Sequence, residues 1–395
     1  MCYKKVYLNP KKEESLKRFH PWVFSGAIHQ IDGVPEEGEI VEVYDSQKHF
    51  IALGHCQIGS IAIRVLSFEK EIIDKNFWKK RFQAAYELRK QLGLAENPEN
   101  NTYRLVHGEG DLLPGLIVDV YADTAIMQAH SPGMHVARKE LAEALKEVLS
   151  DSVQHIYYKS EGTLPFKADL DAENGYLLGG ELVSEIAVEN GLKFQVDWVK
   201  GQKTGFFVDQ RDNRSLLEKY AKERKVLNMF CYTGGFSCYA MRGGAELVHS
   251  VDSSAKAIAL TNENIALNFS EDARHQSFTE DAFKYLEQMG DQYDLIVLDP
   301  PAFAKHRKVL KNALQGYRKL NAIAFEKIKP GGILFTFSCS QVVSKIDFRL
   351  AVFSAAAQSG RKIKILHQLT QPADHPINIY HPEGEYLKGL ILSVE

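Results

Sequence analysis

Between residues 225 and 394, strand-like and helix-like segments alternate, and this alternation constrains the fold more than any other feature of the sequence. Short apolar runs predict strands, and apolar residues recurring at three- and four-residue steps predict the helices between them. The predicted strands are 225–230, 246–251, 275–278, 293–298, 332–338, 362–368 and 388–394, and the predicted helices are 235–242, 254–267, 281–289, 312–328 and 344–357. This succession predicts an α/β, doubly wound, mostly parallel sheet, which binds ligands at the carboxyl ends of its strands.

Two regions of different texture precede this one. Residues 1–75 hold short alternating runs punctuated by glycine, which predict a small β-rich domain. Residues 76–190 combine a helical pattern with strand-like segments, which predicts an α+β middle domain. The third domain is then expected to span residues 191–395, and it opens with a predicted hairpin over 191–208 that turns at Lys200-Gly-Gln-Lys203.

Composition excludes several classes of protein. The 395 residues are 45% apolar and 25% charged with a net charge of −3, so no global basic field indicates nucleic acid as a partner. No apolar run approaches the roughly 20 residues that cross a bilayer, and the N-terminus lacks the apolar core of a signal peptide. The five cysteines show no C-x-x-C spacing, which argues against a zinc site and a disulfide framework. We expect a cytoplasmic protein with free thiols, no metal and no membrane association.

A glycine turn, Tyr232-Thr-Gly-Gly235, follows the first predicted strand of the third domain. Adjacent glycines let a backbone approach a ligand closely, although a simple tight turn would also explain them. The spacing is not G-x-G-x-x-G, so a dehydrogenase is a poor fit. The next two strands end near Asp252 and Asp281, where a carboxylate can accept the ribose hydroxyls of an adenosine moiety. Three such features in succession favour a binding site over ordinary loops.

The run Asn228-Met-Phe-Cys-Tyr-Thr-Gly-Gly-Phe-Ser237 resembles motif I of class I methyltransferases, and it is similar in particular to the RlmI family of large-subunit rRNA cytosine-5 methyltransferases. The first region resembles a PUA domain through His20-Pro-Trp-Val-Phe-Ser-Gly26. Further segments that look like this family are Phe206–Arg211, Asp299-Pro-Pro301, Phe337-Ser-Cys-Ser340, Asp374-His-Pro376 and Pro382–Lys388. The resemblance therefore spans nearly the whole chain.

This resemblance implies a Rossmann-like class I methyltransferase domain, preceded by a PUA-like domain and the α+β middle domain, with S-adenosylmethionine as the cofactor. Asp252 would hold the ribose, Asp281 the adenine amino group, and Gly234 would allow the backbone to approach the methionine end. The other implied cofactor contacts are Phe230, Tyr232, Thr233, Gly235 and Gln210. Large-subunit (23S) rRNA would be the partner, a homodimer would be unsurprising, and Phe207 and Asp209 receive no individual role.

Cytosine-5 methylation requires a cysteine, because carbon 5 becomes nucleophilic only after a thiolate adds to carbon 6. Cys339 comes just after strand 332–338, at the same sheet edge as the cofactor motifs, and is the predicted nucleophile. Asp299 ends strand 293–298 and is expected to hydrogen-bond the pyrimidine. A buried structural thiol is the alternative for Cys339. Its rivals are Cys231, in the cofactor turn, and Cys238, inside the next helix.

A cationic segment follows Pro301. Residues 302–319 contain six cations and no acidic residue, and such a patch can hold phosphates locally in a protein of net negative charge. The predicted RNA contacts are Lys305, Arg307, Lys308 and Lys311. The target base must leave its stack to meet a thiolate, so single-stranded or loosened RNA is expected.

Two other functions stay open at this point. An rRNA guanine-nitrogen methyltransferase could share the fold and a sequence such as Asp299-Pro-Pro301, although nitrogen methylation has no use for a thiol adduct. A non-catalytic RNA-binding or ribosome-assembly factor could keep the fold without the chemistry. The glycine turn, the two carboxylates and Cys339 argue against that second alternative.

Overall fold

The computed structural model describes residues 3–150, 152–165, 170, 173–180, 185–270, 272–304 and 306–395. It divides into two compact units. Unit 1 comprises Met1–Val188, Val196–Val208 and Ala373–Gly384, and unit 2 comprises Glu189–Gln195, Asp209–Pro372 and Glu385–Glu395. The three predicted domains and their boundaries stay a prediction. No helix in the described ranges is long and apolar enough to cross a membrane.

The N-terminal part of unit 1 is a six-stranded sheet with the order β2-β6-β5-β4-β1-β3. Its elements are β1 (Lys4–Leu8), α1 (Glu14–Lys17), β2 (Trp22–Phe24), β3 (Ile28–Ile31), β4 (Ile40–Tyr44), β5 (Phe50–Cys56) and β6 (Ile61–Ser67). The strands β1 and β4 pair in parallel, and the other neighbours are antiparallel. Buried aliphatic side chains from several strands, among them Val6, Val41 and Ile63, form the core of this sheet.

The rest of unit 1 places helices against a five-stranded sheet of order β11-β10-β9-β8-β7. The elements are α2 (Lys75–Gln91), β7 (Thr102–His107), β8 (Leu116–Tyr121), β9 (Thr124–Ala129), α3 (Pro132–Val136), α4 (Arg138–Val148), β10 (His155–Tyr158) and β11 (Gly175–Leu178). Helix α2 begins where the Asp74 carboxylate accepts the backbone N–H of Phe77, as N-capping requires. Its buried face, which includes Trp78 and Phe82, joins the core of this sheet.

The predicted hairpin over residues 191–208 is wrong. The strands β12 (Glu185–Glu189) and β13 (Leu192–Val196) form a two-stranded sheet instead, and the chain turns between them at Asn190-Gly191, both with positive φ. Asn-Gly is the strongest short hairpin signal, because both residues tolerate the left-handed conformation. Beyond β13 the chain forms turns instead of a second strand. The Asp197 side chain accepts a hydrogen bond from the backbone N–H of Lys200, and its carbonyl oxygen accepts one from that of Gly201.

Unit 2 carries a seven-stranded sheet of order β16-β15-β14-β17-β18-β20-β19, in which the first five strands are parallel and the last two are antiparallel to their neighbours. Its elements are α5 (Arg211–Ala221), β14 (Lys225–Met229), α6 (Gly235–Arg242), β15 (Leu247–Asp252), α7 (Ala255–Asn268), β16 (His275–Thr279), α8 (Ala282–Gln288), β17 (Leu295–Leu298), α9 (Leu310–Lys327), β18 (Gly332–Ser338), α10 (Lys345–Ser359), β19 (Ile363–Thr370) and β20 (Lys388–Val394). The predicted α/β fold is confirmed.

The strand order of unit 2 reverses beside β14. Strands β15 and β16 lie on one side of it, and β17 and β18 lie on the other. Because all five strands are parallel, their carboxyl ends meet at one edge of the sheet, with the switch point between β14 and β17. The central strands β17 and β18 are buried along their whole length, as expected for strands covered on both faces.

Candidate active site

The glycine turn lies at the switch point, between β14 and α6. Gly234 has φ +78°, and a Cβ atom there would come within 2.7 Å of the Thr261 side chain. Phe230 and Tyr232 also have positive φ, 59° and 47°. Left-handed non-glycine residues cost roughly 1–2 kcal/mol each and cluster at ligand clamps. The turn therefore has a strained backbone of the kind that occurs at ligand-binding sites, and Gly234 lets it pack closely against Thr261.

Helix α7 holds this turn in place. The hydroxyl of Thr261 donates to the carbonyl oxygen of Tyr232 over 2.9 Å, and Nδ2 of Asn264 donates to that of Thr233 over 2.8 Å. Both donors are fully buried. These two hydrogen bonds from α7 hold the backbone of the turn in one conformation.

The two predicted carboxylates stand at the same sheet edge. Asp252 accepts from the backbone N–H of Tyr232 over 3.1 Å and from that of Ser254 over 2.9 Å, which ties its carboxylate to the glycine turn. Asp281 follows β16 and caps α8 by accepting from the backbone N–H of Lys284 over 3.0 Å. An ionised carboxylate has about four acceptor positions, so both groups retain capacity for ribose and adenine donors. The turn and the carboxylates fit an adenosine-containing cofactor.

Asp299 and Cys339 follow neighbouring parallel strands. Leu298 pairs with Thr336 in the β17–β18 register. Asp299 and Cys339, which follow these strands, therefore lie just beyond the same end of the sheet. Cys339 is half-buried. The buried phenol of Tyr317, on α9, accepts a hydrogen bond from the Ser338 hydroxyl at the end of β18 over 2.9 Å. Burial, together with the charges of Cys339 and Asp299, raises the pKa of Tyr317 to about 12.

A buried lysine completes this corner of the sheet. Lys388 begins β20 opposite Ser338, and its Nζ atom donates to the carbonyl oxygens of Ser340 and Val343 over 2.5 and 2.6 Å. Burial lowers the pKa of Lys388 to about 8, and the charge of Cys339 opposes that shift. Sequence reasoning gave Lys388 no role. The signals that could have found it are its place at the end of the family-like segment Pro382–Lys388 and a lysine at the head of an apolar strand.

Gln210 bridges two polar side chains. Its Nε2 atom donates to Oδ2 of Asp299 over 3.0 Å, and its Oε1 atom accepts from Nδ2 of Asn213 over 2.6 Å. The predicted cofactor contact of Gln210 stays a prediction, but both ends of its amide already have protein partners. Asn213, which sequence reasoning missed, lies one turn further along the chain, on α5.

The rival cysteines are poor nucleophiles. Cys231 and Cys238 are buried, and burial raises the pKa of each thiol to about 12. Burial also raises the pKa of Cys56 to about 11. Thiols of this kind stay protonated at neutral pH, and only a thiolate attacks carbon 6. No group of three or more potential metal ligands occurs among the described residues.

The cationic segment is exposed where the structure describes it. Arg307 and Lys308 lie in a 3₁₀ turn before α9, and Lys311 is on the first turn of that helix. None of the three forms an ion pair within the described part of the chain, whereas Lys319 pairs with Glu287 over 3.1 Å. The predicted contact Lys305 lies outside the described residues.

The fold and the site together define an S-adenosylmethionine-dependent methyltransferase. Residues 139–384 match the family model of S-adenosylmethionine-dependent methyltransferases, and residues 6–68 match a PUA-like domain. A protein named ribosomal RNA large subunit methyltransferase I from Tolumonas auensis is 42% identical over 98% of both chains, and one from Pseudoalteromonas translucida is 40% identical over 98% of this chain and 99% of its own. A protein assigned as a methyltransferase and solved with SAH is 25% identical over 99% of this chain and 100% of its own, with a TM-score of 0.84.

This chain belongs to the S-adenosylmethionine-dependent methyltransferase family, and it also carries a PUA-like domain. The predicted cofactor is confirmed. The roles of the individual site residues stay predictions.

Proposed function

We propose that this protein methylates carbon 5 of a cytosine in large-subunit rRNA, in the cytoplasm, with Cys339 as the nucleophile. The names of the full-length relatives support rRNA as the substrate. The observation that supports carbon-5 chemistry is the position of Cys339, a half-buried thiol just beyond β18, beside the strand end that carries Asp299. A nitrogen methyltransferase has no use for a thiol there. A homodimer stays a prediction.

In the proposed reaction Asp299 first takes up a proton from solvent as the cytosine binds. The Cys339 thiolate then adds to carbon 6 while Asp299 donates that proton to ring nitrogen 3, which leaves an enamine at carbon 5. Carbon 5 then takes the methyl group that S-adenosylmethionine, when bound, carries on its sulfonium sulfur. A base removes the carbon-5 proton, and that electron pair restores the C5–C6 double bond as the carbon–sulfur bond breaks. The thiolate leaves with the bond electrons, and the nitrogen-3 proton returns to Asp299. One methyl group enters and one proton leaves.

The remaining site residues divide between cofactor and RNA. The backbone around Gly234, with Phe230, Tyr232, Thr233 and Gly235, would cradle the methionine end, while Asp252 and Asp281 would hold the adenosine. Gln210 would orient Asp299 through its 3.0 Å hydrogen bond. Arg307, Lys308 and Lys311 would bind phosphates, because their charges are exposed beside the site and have no ion-pair partner among the described residues.

The test is Cys339→Ala, assayed on rRNA from cells that lack the protein, with nucleoside mass spectrometry of the product. Methyl transfer should fall by at least about 10³-fold, as losses of nucleophiles do, while calorimetry still detects cofactor binding. Cys238→Ala is the matched control and should keep transfer. Transfer by Cys339→Ala near the wild-type rate, or methyl found on a guanine nitrogen, would contradict the proposal. Absence of cofactor binding by the wild-type protein would favour a non-catalytic factor.

A further inference from the structure

The buried ammonium of Lys388 is not explained by its hydrogen bonds alone. Only 6% of Lys388 is exposed, and both of its acceptors are neutral carbonyl oxygens, those of Ser340 and Val343. Within the described ranges no carboxylate forms an ion pair with it. Burying an unpaired ammonium is unfavourable, whereas a neutral donor could bond the same two carbonyls at lower cost. A buried positive charge therefore needs a negative partner.

The position of Lys388 identifies that partner. Strand β20 places Lys388 opposite Ser338, and its Nζ atom bonds the carbonyl oxygen of Ser340, so the ammonium lies against the segment that carries Cys339. The charges of Cys339 and Glu385 favour the ammonium and the charge of Lys345 opposes it, and Cys339 has the largest effect of the three. Glu385 and Lys345 are partly exposed and pair with each other, so solvent and mutual neutralisation weaken both. The thiolate of Cys339, which is half-buried, is the remaining counter-charge.

The thiolate needs this cation because its other neighbours oppose it. In the protein without RNA, the charges of Asp299 and Cys339 both raise the pKa of the Tyr317 phenol, which accepts a hydrogen bond from Ser338, so the two groups act on the same buried side chain. A carboxylate near a thiolate disfavours the ionised thiol. A nucleophilic cysteine normally has a cationic neighbour, and among the described residues Lys388 is the buried cation whose largest charge partner is this sulfur.

We propose that Lys388 is a positioning residue that stabilises the Cys339 thiolate through its buried ammonium and holds the segment after Cys339 through the carbonyls of Ser340 and Val343. The thiol proton goes to solvent before attack, and Lys388 keeps its own proton throughout. This inference rests on the proposed function only for its catalytic use. The electrostatic coupling between the ammonium and the sulfur exists without RNA and can be measured without it.

The test is the pH dependence of iodoacetamide alkylation at Cys339, followed by peptide mass spectrometry on the full chain from about pH 5 to about pH 10. The wild-type protein should reach half of its maximal rate at least about one pH unit below an ordinary cysteine. Lys388→Met should move that midpoint upward by about one unit or more, with a roughly tenfold slower alkylation at pH 7. Lys388→Arg should restore part of the shift, because it keeps the charge.

Lys345→Met is the matched control, because it removes a nearby partly exposed cation and should leave the midpoint within about 0.3 unit. A purely structural lysine would change the alkylation rate equally at all pH values without moving the midpoint, and that result would overturn the inference. If Lys388→Met does not fold, a wild-type midpoint at or above that of an ordinary cysteine overturns it as well. A result in which the alkylation midpoint shifts in Lys388→Met while Cys339→Ala retains full methyl transfer would support the electrostatic coupling between Lys388 and Cys339. That result would refute only its catalytic use.

Discussion

Gln210 donates a hydrogen bond from its Nε2 atom to Oδ2 of Asp299 over 3.0 Å, and it is held in turn by Nδ2 of Asn213 over 2.6 Å. Gln210 and Asn213 are each only 3% exposed. Hydrogen bonds in such a low-dielectric environment are strong and restrict the side chains that make them. The pair therefore holds the Asp299 carboxylate in one orientation at the end of β17.

Replacing Gln210 by alanine should lower the rate of methyl transfer without weakening cofactor binding. A misplaced catalytic group costs about 10²-fold in rate, and we expect Gln210→Ala to lose that amount at saturating S-adenosylmethionine. Asn213→Ala, which removes only the outer bond, should lose less. Single-turnover transfer and calorimetry separate the two effects. A large loss of cofactor affinity with unchanged transfer would instead support the predicted cofactor contact of Gln210.

Gly234→Ala should abolish tight binding of the cofactor. The new Cβ atom would meet Thr261 at 2.7 Å in a backbone with φ +78°, so the turn must move away from its ligand-binding geometry. The matched control is Gly360→Ala, where φ is +68° but nothing lies within 4 Å of the new Cβ atom. Gly360→Ala should lose about 1 kcal/mol of unfolding free energy through its left-handed backbone, and Gly234→Ala should lose more because it also meets Thr261. Only Gly234→Ala should lose affinity in calorimetry. Equal affinities would show that the turn does not cradle the cofactor.

Local sequence patterns were enough to predict most of the sheet in unit 2. Strands β18 and β20 begin and end at the predicted residues, because each is a continuous apolar run. The hairpin turns at Asn190-Gly191 and not at Lys200–Lys203, because Asn-Gly carries the stronger conformational signal.

Contacts within the site were harder to predict than its elements. Lys388 reaches Ser340 across 48 residues of chain, and Gln210 reaches Asp299 across 89. These contacts depend on the order of the strands in the sheet. The spacing of apolar residues along the sequence does not determine that order. The residues that follow strand ends, such as Asp252 and Cys339, could be placed because parallel strands bring their carboxyl ends together.

Unit 1 should lose stability as the pH falls below about 6.5. His55 is 2% exposed, and burial lowers its pKa to about 4. The unfolded chain binds a proton at this histidine near pH 6.5 and the folded chain does not, so unfolding is favoured as the pH falls from 6.5 towards 4. A shift of this size corresponds to about 3 kcal/mol.

His55→Leu, which replaces the imidazole by an apolar side chain of similar size, should reduce the pH dependence of the unfolding free energy. Urea unfolding at several pH values, followed through the fluorescence of the neighbouring Trp78, measures it. His29→Leu is the control, because that imidazole is exposed and forms no ion pair among the described residues. The same acid sensitivity in His55→Leu and wild-type protein would assign the effect to other groups.

Removing the exposed cations beside the site should weaken RNA binding in a salt-dependent manner. Each phosphate contact contributes about 0.7 to the slope of log affinity against log salt for a single strand, so Arg307→Ala, Lys308→Ala and Lys311→Ala combined should reduce that slope by about 2. Lys222→Ala is the control, since this exposed lysine lies beside Glu223 in an ion pair. Fluorescence anisotropy with single-stranded rRNA fragments at several salt concentrations gives both slopes. An unchanged slope in the triple variant would show that the segment carries charge without contacting phosphate.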